Sequence, residues 1–255
     1  MRQPIIVGNW KMNMVISASS KLIEELLDTS DFRGSFDLVV APPFTSLSVV
    51  NNSIKESNIK LAGQNMASKL EGAQTGEVSA TMLKDAGCDY VILGHSERRQ
   101  YQDESDELIN KKVFIACENA LNAIFCIGES FDDQKKGKTY EVLEGQLLAG
   151  LKGLNEEQLN SVLIAYEPIW AIGSGLTAGA NKVQEVHSFI RNWLKNSFGK
   201  NFAEHARIIY GGSVDSKISS SLMEQPDVDG LLVGGASLKS KSFYDIIKLS
   251  FETGD

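Results

Sequence analysis

Short apolar runs rich in Val and Ile punctuate the whole chain, at residues 5–7, 37–41, 59–62, 90–93, 123–127, 162–166, 207–210 and 230–233. They are continuous rather than alternating, the pattern of strands in a parallel sheet whose outer face is covered. Between them lie stretches with helical spacing of apolar positions, at 21–27, 107–117, 140–151 and 183–194. Strand followed by helix throughout predicts an α/β fold, and eight units favour a single eightfold parallel β/α barrel over an open doubly wound sheet. No shift in composition and no long Pro/Gly/Ser linker divides the chain, so one domain spanning residues 1–255 is expected.

Composition narrows the functional classes. The chain has 42% hydrophobic and 23% charged residues, as an ordinary soluble globular protein does. A formal charge of −8 with three His argues against partners such as nucleic acid or an anionic membrane, which would ask for a basic face. An anionic substrate would need locally placed positive groups. The cysteines, Cys88, Cys117 and Cys126, are odd in number and lack metal-ligand or redox spacing, so neither a disulfide framework nor a metal site is expected. The apolar run after Met1 is too short for a signal peptide, no stretch is long enough to span a bilayer, and no lipidation motif ends the chain, which together predict a cytoplasmic protein.

The polar residues that follow the apolar runs are the informative ones, because β/α barrels collect their reacting groups where strands end. The first run leads into Gly8-Asn9-Trp10-Lys11, the fourth into Gly94-His95-Ser96-Glu97 and the sixth into Glu167-Pro168. The seventh and eighth lead into Gly211-Gly212-Ser213 and Gly234-Gly235-Ala236. A long insertion, 63–76, follows the third run and is functional or contact-forming by its length. The charge run 132–138 carries both signs and reads as a solvated turn.

Each of these positions has a chemical and a plain reading. Glu167, beside a buried strand, is desolvated toward the range of a general base, or it caps the strand and pairs with a cation. His95, at the start of a helix, is held neutral by the N-terminal dipole and can hydrogen-bond a carbonyl, or it is structural. Lys11 supplies charge to an anion, or it snorkels over Trp10. Glu97 forms an ion-pair network with Arg98 and Arg99, or it orients Lys11. His187 and His205 are read as structural or surface residues. Segment 171–175, small in the middle and following a rigid Pro168, reads as a hinged lid. Two Gly pairs after the last two strands offer backbone N–H groups where barrels commonly hold phosphate.

Five ordered segments now resemble the triosephosphate isomerase family over essentially the full length: Asn9-Trp10-Lys11-Met12-Asn13, Gly94-His95-Ser96-Glu97-Arg98-Arg99, 165–173, Tyr210-Gly211-Gly212-Ser213-Val214 and Gly234-Gly235-Ala236-Ser237-Leu238. The resemblance implies an isomerase that interconverts dihydroxyacetone phosphate and glyceraldehyde 3-phosphate through an enediolate, in glycolysis and gluconeogenesis, with no cofactor and no metal. In that reading Glu167 takes the proton, His95 is the neutral electrophile and Lys11 supplies positive charge. Asn9, Lys11, Gly173, Ser213, Gly234 and Gly235 would hold the substrate and its phosphate, with Ser96 and Glu97 in support. The resemblance also implies a homodimer, since Gln64, Asn65 and segment 72–77 match the family's contact loop and Thr75 would enter the partner subunit. Leu176 stands where the family often has a cation, and Gly179-Ala180 where a Pro is common; these departures bear on the lid rather than the chemistry.

Two other classes remain open at this stage. A glycosidase would use Glu97 and Glu167 as paired carboxylates, which leaves Lys11 and the Gly pairs unexplained. A non-catalytic phosphate-binding barrel would keep the Gly pairs and need no poised base.

Overall fold

In a computed structural model that describes residues 2–28, 36–171 and 178–251, all eight apolar runs form strands. They are β1 (Ile5–Asn9), β2 (Asp37–Ala41), β3 (Ile59–Gly63), β4 (Tyr90–Leu93), β5 (Asn122–Ile127), β6 (Val162–Tyr166), β7 (Ile208–Tyr210) and β8 (Gly230–Val233). All are parallel and pair in chain order, and Ile5 of β1 opposes both Asp37 of β2 and Gly230 of β8, which closes the ring and removes the open-sheet alternative. β1 continues through Gly8 and Asn9, which pair with Val40 and Ala41, because a backbone ladder does not stop where apolar side chains do.

Buried strand residues divide into two sets with a period of two. Ile5, Val7, Val39, Ile92, Ile124, Cys126, Ala165 and Ile209 fill the barrel interior. Ile6, Val40, Val91, Phe125, Ile164 and Tyr210 belong to the larger cluster shared with the surrounding helices. Apart from exposed Lys60 in β3 and half-buried Asp37 and Asn122 at strand starts, both faces of the strands are buried, which is why the runs carry no regular polar alternation.

The four helical stretches expected from spacing lie within Ile16–Asp28, Asp106–Glu118, Thr139–Gly150 (with the end of the last stretch, Leu151, as its cap) and Ala180–Phe198. Helix Leu47–Ile54 was not legible, since two Val and two Asn weaken its propensity; burial of Leu47, Val50 and Ile54 along one side holds it. The charge run is not a simple turn. It begins as the short helix Phe131–Lys135, because Ser130 and Asp133 satisfy each other's backbone N–H groups in a capping box. Ser79 and Ser105 cap the starts of Ala80–Asp85 and Asp106–Glu118, each worth about 1 kcal/mol. In the loop after β3, residues 69–77 are exposed while Asn65, Met66 and Ala67 at its base are buried.

Ion pairs knit the N-terminal end of the barrel. Asp37 accepts hydrogen bonds from Gln3, Tyr90 and Arg207. Arg191 reaches Asp227, Asp229 and the carbonyls of Ala203 and Ala206, while Arg2 takes the other oxygen of Asp229. No described helix is long and apolar enough to cross a membrane.

Candidate active site

Residues at the ends of β1, β4, β6, β7 and β8 meet at the opposite, C-terminal mouth. Asn9, the buried last residue of β1, accepts the Lys11 backbone N–H at 3.0 Å and folds the chain sharply back. Lys11 consequently has φ +52, a conformation that costs a residue with a side chain on the order of 1 kcal/mol. Gln64 pins this turn from the loop after β3, donating to the carbonyls of Lys11 and Ala41 at 2.8 Å each. The Lys11 ammonium, so aimed, donates to Glu97 Oε1 at 2.6 Å.

The expected network of Glu97 with its neighbours in sequence is replaced by this contact. Arg98 pairs with Glu104 and Arg99 with Asp106. Consecutive residues of a helix point about 100° apart and cannot face one another, so Glu97 turns to Lys11.

His95 caps helix Ser96–Tyr101, its Nδ1 accepting the Glu97 N–H at 3.2 Å. A ring that accepts at Nδ1 carries its proton on Nε2. That edge lies 3.1 Å from Glu167 Oε1. The spacing is that of a hydrogen bond but the alignment is not, and Oε1 is left without a partner. Glu167 Oε2, in contrast, accepts the Ser96 N–H at 2.9 Å. The residue is 1% exposed, so a buried carboxylate holds one oxygen in use and one in reserve.

Two glycines make room for Glu167. A Cβ on Gly211 would come within 2.9 Å of its Cγ, and a Cβ on Gly128 would lie 1.8 Å from its carbonyl oxygen. Cys126 is buried beside it, with a thiol pushed well up first by burial and then by the Glu167 charge, so it stays protonated.

Asn9, Lys11, His95, Glu167, Ser213 and the pairs Gly211-Gly212 and Gly234-Gly235 line one cavity of 240 Å³. That is room for a small molecule. Ser213 Oγ donates to the Ala171 carbonyl, and Ser237 Oγ to that of Gly234 at 2.7 Å. Gly173 and Leu176 lie outside the described residues, as does the expected lid beyond Ala171. Glu97 does not line this cavity. It faces an adjoining groove of 530 Å³ with Met12, Gln64, Arg98 and Tyr101, so the paired-carboxylate reading lacks its shared site.

Asn65 accepts a hydrogen bond from buried Lys112 at 2.9 Å, while Thr75 stands exposed at the loop tip. His187 proves fully buried in the apolar stripe of Ala180–Phe198, with Nδ1 on the Asp227 carbonyl at 3.1 Å; burial pushes its pKa down to about 4. His205 sits on the exposed side of Lys200–His205, as a surface residue. Glu129 was missed. It is buried two residues past β5, accepting from Trp170 Nε1 at 2.9 Å and Tyr166 OH at 3.2 Å. Burial raises its carboxyl pKa, against the opposing effect of the Trp170 bond. The strand-end criterion that singled out Glu167 would have found it had it been applied to the fifth run.

Among the described residues no group of three or more His, Cys, Asp or Glu is arranged to hold a metal ion. Residues 4–250 match the family model described as triosephosphate isomerase. The chain is 47% identical over 250 residues to a triosephosphate isomerase of Geotalea uraniireducens, covering 98% of this chain and 100% of that protein. It is 49% identical over 248 residues to the protein of the same name from Carboxydothermus hydrogenoformans, covering 97% and 99% of the two chains. A third relative so named, from Syntrophotalea carbinolica, is 47% identical over 97% of this chain and 98% of its own length.

Proposed function

The chain belongs to the triosephosphate isomerase family, and from that membership we propose how its residues interconvert dihydroxyacetone phosphate and glyceraldehyde 3-phosphate. The reaction moves one proton between neighbouring carbons and one between neighbouring oxygens. It leaves the overall oxidation state unchanged, so it calls for a base and a hydrogen-bond donor rather than a hydride carrier.

Glu167 takes the proton from the carbon next to the carbonyl, and the electron pair moves onto the carbonyl oxygen to give an enediolate. To reach that carbon its carboxylate must leave the Ser96 N–H, to which Oε2 is bonded. His95 gives its Nε2 proton to the developing oxyanion and takes back the one on the neighbouring hydroxyl, which moves a proton from one oxygen to the other, while Lys11 offsets the charge. Glu167 then returns the proton to the adjacent carbon. Asn9 orients Lys11, Glu97 holds its ammonium, and Gly173, Ser213, Gly234 and Gly235 receive the phosphate. The observation that carries this assignment is the buried, undonated Oε1 of Glu167 lying 3.1 Å from the protonated edge of His95, on the cavity that Lys11 also lines. A coupled assay of triose phosphate interconversion in the presence of a strong chelator tests it. Rapid turnover is expected, and its absence would overturn the assignment.

The active species is a homodimer in this reading. Exposed Met12, Val15 and Phe44 beside the 530 Å³ groove, and the exposed tip around Thr75, support a second copy whose tip enters the groove next to Lys11. Sedimentation at micromolar concentration should give twice the chain mass. We assign the enzyme to the cytoplasm, as one domain over residues 1–255 acting in glycolysis and gluconeogenesis. Free thiols at Cys88 and Cys117, both pushed up to about 12 first by burial, suit a reducing compartment.

A further inference from the structure

We propose that Gln146 is a positioning residue for Glu167, acting through the peptide of Gly128; this rests on the assignment of Glu167 as the base. Gly128 lies one residue beyond β5, where the ladder no longer serves its backbone, and it is buried. Gln146, on helix Thr139–Gly150, supplies both missing partners. Its Oε1 accepts the Gly128 N–H at 2.8 Å and its Nε2 donates to the Gly128 carbonyl at 3.2 Å. A side-chain amide here does the work of a neighbouring strand.

What Gln146 fixes is the seat of the base. The Glu167 carbonyl lies so close over Gly128 that a Cβ there would be 1.8 Å from its oxygen and 2.7 Å from its carbon. Ile127 O accepts the Glu167 N–H at 2.7 Å, and Glu129 O accepts the Ile169 N–H at 3.2 Å. The Glu129 side chain takes the Tyr166 hydroxyl and the Trp170 indole N–H. Residues 166–170 thus rest on residues 127–129 through four hydrogen bonds, one to Ile127 and three to Glu129. Gly128, between them, turns its N–H and C=O away toward a helix.

A carboxylate that exchanges the Ser96 N–H for a substrate carbon pivots about its own backbone. Its reach is set by where that backbone stands. A displacement of about 1 Å at a reacting group costs on the order of 10²-fold in rate, so freeing the Gly128 peptide by a fraction of that should cost about tenfold. Gln146 is not among the residues that line the cavity, so substrate affinity should be spared.

The experiment compares two variants with the wild-type chain. Gln146→Met removes both hydrogen bonds at similar size. Gln146→Glu keeps the acceptor for the Gly128 N–H, loses the donor when ionised, and regains it when protonated. Expected for Gln146→Met is kcat lower by about tenfold with KM within about twofold. For Gln146→Glu, the ratio of its kcat to that of wild type should rise as pH falls from 7 toward the carboxylate range. Wild-type kcat per folded molecule in both variants, even with a lowered Tm, would reduce Gln146 to a structural residue and overturn the proposal. So would a raised KM with kcat unchanged. An inactive wild-type chain would instead sink the assignment of Glu167, and this proposal with it.

Discussion

At the N-terminal end of the barrel both oxygens of Asp37 and both oxygens of Asp229 are engaged, by Gln3, Tyr90 and Arg207 in one case and by Arg2, Arg191 and the Ile208 N–H in the other. At the C-terminal end Glu167 and Glu129 are more deeply buried, each 1% exposed against 25% for the side chain of Asp37, yet each keeps one oxygen without a partner. Lys11 adds a left-handed backbone to the same end. Saturated carboxylates leave nothing for a ligand and hold strands in register. Unsaturated ones carry a desolvation cost that a substrate or a moving proton can offset.

The largest effect should follow from removing charge at the unsaturated end. Lys11→Met is expected to lower kcat/KM by about 10³-fold, the scale of a lost electrostatic contact to a transition state, while the urea midpoint stays put. A midpoint that drops as sharply as the activity would erase the distinction between the two ends. Next comes its mirror image. Arg191→Met should cost about 3 kcal/mol in urea unfolding, because it takes the cation from one oxygen of Asp227 and one of Asp229, yet leave kcat of the folded protein unchanged.

Glu167→Asp, which withdraws the carboxylate by one methylene, should reduce turnover by about 10²-fold with binding of a phosphate-bearing substrate mimic nearly intact. Full turnover in that variant would reject the base assignment. The smallest effect concerns His187, which belongs to neither end. Its folded pKa of about 4 lies below the unfolded 6.5, so the unfolded chain binds the extra proton between those values and stability falls as pH drops through that window. Wild type should lose about 2 kcal/mol more than His187→Gln between pH 7 and pH 5. Parallel losses in urea titrations of the two proteins would mean that the buried ring contributes no such dependence.

The saturated end was hardly visible in the sequence and the mouth largely was. Lys11, His95 and Glu167 each follow an apolar run directly, so locating strands located them. Arg191 and Asp229 sit in a helix and ahead of a strand, 38 residues apart, and nothing local announces that they meet. Gln64 was legible only as part of a contact loop, whereas its amide also props the Lys11 turn 53 residues away. Gln146 carried no signal, because an amide on a helix that bonds a remote peptide looks like any solvated Gln. Of the two readings of Glu97, the contact with Lys11 is the one formed; the network with Arg98 and Arg99 took adjacency in sequence for adjacency on a helix.

Gly128 and Gly211, which crowd Glu167 from two directions, bear on what substitution can explore in this protein. Neither has a functional group to lose, and at Gly128 even a methyl group would have to displace main chain. A saturation scan should therefore find some of its least permissive positions where there is no side chain at all. Redesign that keeps every reactive group but treats these two sites as spacers would lose the enzyme.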